Sequence, residues 1–120
     1  MQGVKKLEAS RWNVLFDRIE AGTYLVAGAI TNGHVKVNKI DPKTINIVSE
    51  KLMDMGVEVN IGLDFVEVDA TSSDLKAQDI FTEPFPGFPT DMQAQFMTLN
   101  TIASGKCLSL IHISEPTRPR

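Results

Sequence analysis

Glu83-Pro84-Phe85-Pro86-Gly87-Phe88-Pro89-Thr90-Asp91-Met92-Gln93-Ala94-Gln95-Phe96 is the stretch around which this chain is organised. Its first half carries three prolines and a glycine. Proline fixes φ and has no N–H to donate, so this half is expected to stay out of regular structure. Thr90 then opens a helix. Thr-x-x-Gln (Thr90, Gln93) fits a capping box, the Thr hydroxyl accepting from the Gln93 backbone N–H while the Gln side chain reaches back. Asp91 falls in the first turn, where the partial positive charge of the helix end favours a carboxylate. A rigid aromatic loop that delivers one carboxylate at a helix start suits an active site. The same pattern also suits a plain first-turn residue.

A related segment lies upstream. Leu15 to Gly33 aligns with Gly87 to Gly105 without gaps at a spacing of 72, with Phe16 on Phe88, Tyr24 on Phe96, Ile30 on Ile102 and Gly33 on Gly105. Both copies read as loop, helix start, uncharged helix and glycine stop. In the first copy Asp17 and Glu20 form a cap-like pair, and Ala21 to Thr31 carries no charge. A helix apolar on all sides is expected to be buried. Asn32-Gly33 supplies residues that tolerate the left-handed conformation at its end.

Between the copies the signals are regular. His34 to Ile40 alternates as a half-buried strand. Asp41-Pro42 starts a helix with Asp as cap and Pro at the first position. Ile45, Val48, Leu52 and Met55 form its apolar stripe, and Gly56 ends it. Val57 to Ile61 and Phe65 to Asp69 flank Gly62-Leu63-Asp64 as a β-hairpin. A polar connection over 70–77 leads to a short strand around Gln78 to Thr82. Ahead of Asp17, Gly3 to Ala9 and Trp12 to Phe16 read as short strands, and Lys106 to Ile113 as another. The pattern is a βαβαββ unit of about 60–70 residues, complete once and then begun again. Its parts are 1–16, the end of a preceding unit and inter-domain strands; 17–70, the complete unit; 71–105, the start of the next; and 106–120, a tail.

Composition narrows the function. At 120 residues, with 42% hydrophobic and 22% charged residues and a net charge of −3, the chain has the make-up of a soluble globular domain. No basic patch marks a nucleic-acid partner. No run of about 18 apolar residues marks a membrane span. The first residues lack the apolar core of a signal peptide, so a cytoplasmic setting is expected. One cysteine, Cys107, excludes an internal disulfide framework. His34 and His112 lack neighbouring ligand types, so no metal or other cofactor is expected, and His34 is expected to be solvated.

Phe88 to Phe96, together with Asp17-Arg18-Ile19-Glu20-Ala21-Gly22-Thr23-Tyr24-Leu25-Val26-Ala27, closely resembles the UDP-N-acetylglucosamine enolpyruvyl transferase (1-carboxyvinyltransferase) family of bacterial peptidoglycan synthesis. The resemblance runs from about Gly3 through Gly105. Phe16 departs from it, standing where the family usually has proline. The resemblance implies an inside-out α/β barrel of βαβαββ units, with helices inside and sheets outside. It implies transfer of the enolpyruvyl group of phosphoenolpyruvate to the 3′-hydroxyl of UDP-N-acetylglucosamine, with roles in cell wall biogenesis, cell shape, cell division and the cell cycle. Asp91 then corresponds to the family's general base and sugar contact, Pro89 and Thr90 to its substrate loop, and Asp17, Arg18 and Glu20 to hinge and pocket support.

The family's lysine–asparagine pair, mobile-loop cysteine and phosphate-binding arginines match nothing here, and Cys107 lies outside the resemblance. The expectation is therefore an internal fragment, inactive without the missing domain of the same chain. Ser109 to Pro119 is expected to be non-native adapter or vector sequence. The alternatives are a transferase like 5-enolpyruvylshikimate-3-phosphate synthase, which shares fold and donor, and a purely structural piece with no activity.

Overall fold

The computed structural model describes residues 3–105 and the backbone of 109–111. Its elements run α1 (Arg18–Ile30), β1 (His34–Asn38), α2 (Asn46–Asp54), β2 (Glu58–Ile61), β3 (Phe65–Asp69), β4 (Ile80–Thr82), α3 (Gln93–Ile102) and β5 (Ser109–Ile111). Short 3-10 turns over Pro42–Ile45 and Thr90–Met92 lead into α2 and α3. One sheet has the order β1-β3-β2 with both pairings antiparallel. β4 and β5 pair in parallel across α3.

α1 begins and ends as its sequence dictates. The Asp17 carboxylate accepts from the Ile19 and Glu20 N–H groups at 2.8 and 3.2 Å, occupying donors that have no partner inside the helix. At the far end Asn32 sits at φ 52°, and Gly33 donates to the Gly28 carbonyl at 2.8 Å. Asp41 caps the next turn through the Lys43 N–H, and Gly56, at φ +95°, ends α2. The stripe read for α2 holds, with Ile45, Val48, Leu52 and Met55 all in the core.

The core gathers one face of each helix against the inner face of the sheet, with Leu25, Val26 and Ala29 of α1 meeting Leu52, Val66, Val68, Phe96 and Leu99. Gly28 is a point of close approach, since a Cβ there would lie 2.8 Å from Val35 Cγ2 and 3.1 Å from Val68 Cγ2. A further tie holds α3 to the segment before β4. The buried Asn100 side chain accepts from the Gln78 N–H at 3.2 Å and donates to its carbonyl at 3.1 Å, as a neighbouring strand would.

Four expectations are corrected. Residues 3–9 and 12–16 form no strand, and Trp12 and Val14 are 85% and 98% exposed. A strand needs a hydrogen-bonding neighbour, and no described strand runs beside them. The uncharged helices are not buried all round, because Tyr24 and Ala27 on α1 and Met97 and Ile102 on α3 face outward. No described element lies over those faces. The Thr90–Gln93 capping box does not form. The 3-10 turn satisfies these donors by backbone, Met92 N–H to the Pro89 carbonyl and Gln93 N–H to the Thr90 carbonyl, and no side chain caps the turn or α3. His34 is exposed as expected but partnered, its Nε2 lying 2.9 Å from Glu67 Oε2 across the β1–β3 ladder. Cys107, His112 and the tail over 112–120 lie outside the described residues.

Two stability predictions follow from this packing. A methyl at Gly28 meets the stiff Val35, an overpacking cost of about 1–3 kcal/mol, against a helix-propensity gain of about 1 kcal/mol. Gly22 also lies tight, but its Cβ would press only on the flexible tip of Met92, at 3.0 Å from Cε, with Val48 Cγ1 at an ordinary contact distance of 3.6 Å. Gly28→Ala is expected to lower the urea midpoint and Gly22→Ala to leave it level or raise it. The second concerns acid. Hydrogen bonding from His34, then from Asn60, holds the Glu67 carboxyl below its ordinary value of 4.5. A depressed carboxylate contributes stability that is present above that value and lost as pH falls through the folded-state pKa. Between about pH 5.5 and about pH 3 the urea midpoint of Glu67→Gln is therefore expected to fall less steeply than that of the parent chain.

Candidate functional site

The loop read first from the sequence is held at both ends by burial. Phe88 is in the core, its ring 5.0 Å from that of Phe96 and edge-on at 84°. Pro89 and Met92 are buried on either side of the exposed pair Thr90 and Asp91. The Glu83 N–H donates to the Phe88 carbonyl at 2.9 Å and the Gly87 N–H to the Pro84 carbonyl at 2.8 Å, closing a tight turn with a cis Phe85-Pro86 bond. Asp91 is thereby presented to solvent on a backbone that cannot swing away without exposing Met92 and Phe88.

Beside Asp91 lies an open recess of about 320 Å³, lined by Arg18, Thr82, Glu83, Pro84, Phe85, Pro89, Thr90 and Asp91. Arg18 comes from the first residue of α1, and its guanidinium stands 5.3 Å from the Phe85 ring centroid. One crossing brings α1 and the start of α3 together here. The Gln95 side-chain amide donates to Thr23 Oγ1 at 3.0 Å, and Gly22 faces Met92. Thr23 and Gln95 are equivalent positions of the two copies, 72 apart.

Four of the expected site residues, Arg18, Pro89, Thr90 and Asp91, therefore share one recess. Asp17 and Glu20 do not. They line a separate hollow of about 280 Å³ with Phe16, Tyr24 and Lys39, and the Asp17 carboxylate is already engaged as the α1 cap. Glu83, Phe85 and Thr82 were not singled out from sequence. Glu83 and Phe85 stand in the proline-rich stretch itself, whose lack of regular structure hid which way its side chains face. The displaced carboxyls belong to neither recess. Glu67 is lowered by His34, and Asp69 is lowered by hydrogen bonds from the Thr71 side chain and backbone.

Chemically, the recess offers two carboxylates, one guanidinium, the exposed Thr90 hydroxyl and an apolar wall of Phe85 and prolines. That set suits a hydroxyl-rich ligand with an apolar face, and a carboxylate able to accept a proton from it. Among the described residues no group of three or more His, Cys, Asp or Glu is placed to hold a metal ion, and no helix is long and apolar enough to cross a membrane.

Residues 1–116 match the family described as EPSP synthase (3-phosphoshikimate 1-carboxyvinyltransferase). Proteins named UDP-N-acetylglucosamine 1-carboxyvinyltransferase from two strains of Coxiella burnetii, Dugway 5J108-111 and RSA 493 / Nine Mile phase I, are each 49% identical over 108 residues, 90% of this chain and 25% of theirs. The crystal structure of the enolpyruvyl transferase NikO from Streptomyces tendae superposes with a TM-score of 0.64 at 20% identity, covering 86% of this chain and 25% of that one. The chain thus spans about a quarter of the length of these relatives.

Proposed function

The chain belongs to the EPSP synthase family, and from that premise we propose that it is part of a transferase moving the enolpyruvyl group of phosphoenolpyruvate to the 3′-hydroxyl of UDP-N-acetylglucosamine. The observation that carries this reading is the placement of Asp91, an exposed carboxylate on a pinned backbone beside a sugar-sized recess. The identity of 49% to proteins named for that activity supports the choice of acceptor. Peptidoglycan synthesis in the cytoplasm, with consequences for cell shape and division, is the setting this reading implies.

In this mechanism the acceptor oxygen bonds to C2 of the enol as its proton passes to the Asp91 carboxylate, and C3 takes up a proton. The C2–O bond to phosphate then breaks while C3 loses a proton, restoring the double bond and releasing inorganic phosphate. Pro89 and Thr90 shape the approach of the sugar, and Arg18 supports the wall. Asp17 acts one step back, fixing the start of α1 from which Arg18 projects, and Glu20 lies on the neighbouring hollow. The recess offers one cation for a reaction that handles a phosphate, a diphosphate and a carboxylate. Stabilising that charge needs further cationic donors, so turnover is assigned to the longer protein and not to this segment by itself.

A hybrid in which residues 3–105 replace the matching stretch of the Coxiella burnetii relative tests this. The hybrid is expected to release phosphate from phosphoenolpyruvate with UDP-N-acetylglucosamine as acceptor, and the 120-residue chain alone to release none. Asp91→Asn is expected to cut the hybrid's kcat by about 10²- to 10⁴-fold, the usual worth of a positioned base. Full turnover in Asp91→Asn would remove the assignment of the base. Turnover with 3-phosphoshikimate in place of the nucleotide sugar would shift the acceptor to the shikimate branch of the family.

A further inference from the structure

We propose that Arg18 is a positioning residue for Asp91, acting through Phe85; this rests on the reading of Asp91 as the base. Arg18 is the first residue of α1, the end at which the helix dipole disfavours a cation, so helix stability does not account for it. Its side chain is half-buried and lines the recess with Glu83 and Asp91. Even so, it forms no salt bridge among the described residues. Its directional contact is the face of Phe85, 5.3 Å from guanidinium to ring centroid.

That contact sits where the loop is least secured. The half from Phe88 to Met92 is fixed by burial, but Phe85 is 62% exposed, so its own packing does not hold the turn. What holds it is the pair of backbone hydrogen bonds at Gly87 and Glu83, together with the guanidinium reaching over from α1. Arg18 thus ties the helix of one unit to the loop of the next, on the wall that faces Asp91.

Amide hydrogen exchange of the 120-residue chain tests this. R18Q and F85L are each expected to speed exchange at Glu83 and Gly87 by roughly two- to fivefold, the size of an exposed cation–π contact, with β3 amides unchanged. R18K, which keeps the charge, is expected to do so less. Because Phe85 is largely exposed, F85L keeps the test valid even if R18Q fails to fold. In the hybrid enzyme R18Q is expected to lower kcat at least about tenfold and to leave KM for the nucleotide sugar within about threefold. Unchanged exchange and kcat in R18Q and F85L overturn the proposal while an inactive D91N leaves the base in place. A drop in melting temperature with exchange raised evenly along the chain, the β3 amides included, overturns it too, since that is what a merely structural residue would do. Full activity in D91N removes the base itself and is distinguishable from both.

Discussion

Where α1 crosses the start of α3, Gly22 leaves room for the tip of Met92, and one residue on Thr23 accepts a hydrogen bond from Gln95. The crossing joins equivalent points of two repeated segments, and the recess exists because of it. Arg18 lies one turn before Gly22 on α1, and Asp91 is next to Met92. Bringing the glycine against the methionine therefore places guanidinium and carboxylate on the walls of one hollow. The remaining ties serve the same end. Phe88 packs edge-on to Phe96, Asn100 grips Gln78 by both backbone groups, and the β1–β3–β2 sheet gives α1 a surface to lie on.

Much of the fold was legible because local chemistry and global packing agree. Asp17, Asp41, Asn32 and Gly56 each do in the structure what their residue type does in isolation, and the Val66 and Val68 alternation faces the core as alternation should. Legibility ended where an element depends on something distant. Trp12 to Phe16 has strand composition but gains pairing only beside another strand. Tyr24 and Met97 read as buried because their helices are uncharged, yet burial is decided by what lies over them. Thr90 failed as a cap for a local reason, since a 3-10 turn lets carbonyls take the donors that a capping hydroxyl would have served.

The site was legible in part and for a different reason. Asp91 and its neighbours stood out because prolines, aromatics and a first-turn carboxylate coincide within a few residues. The grouping of Arg18 with Asp91, and its separation from Asp17 and Glu20, follows from the rotation of α1: consecutive helical residues point about 100° apart, so residues adjacent in sequence line different hollows. Phe85 could not be assigned to Arg18 from spacing at all. Their contact joins α1 to a loop 67 residues further on and is made by the crossing, not by any periodicity.

The proposed chemistry depends on Asp91 facing the hydroxyl that is transferred. The most direct measurement is a crystal structure of the hybrid enzyme with UDP-N-acetylglucosamine bound. The sugar is expected in the recess between Phe85 and Thr90, with an Asp91 carboxylate oxygen about 2.6–3.2 Å from the 3′-hydroxyl, the reach required of a general base. A sugar bound elsewhere, with Asp91 left facing solvent, would contradict it.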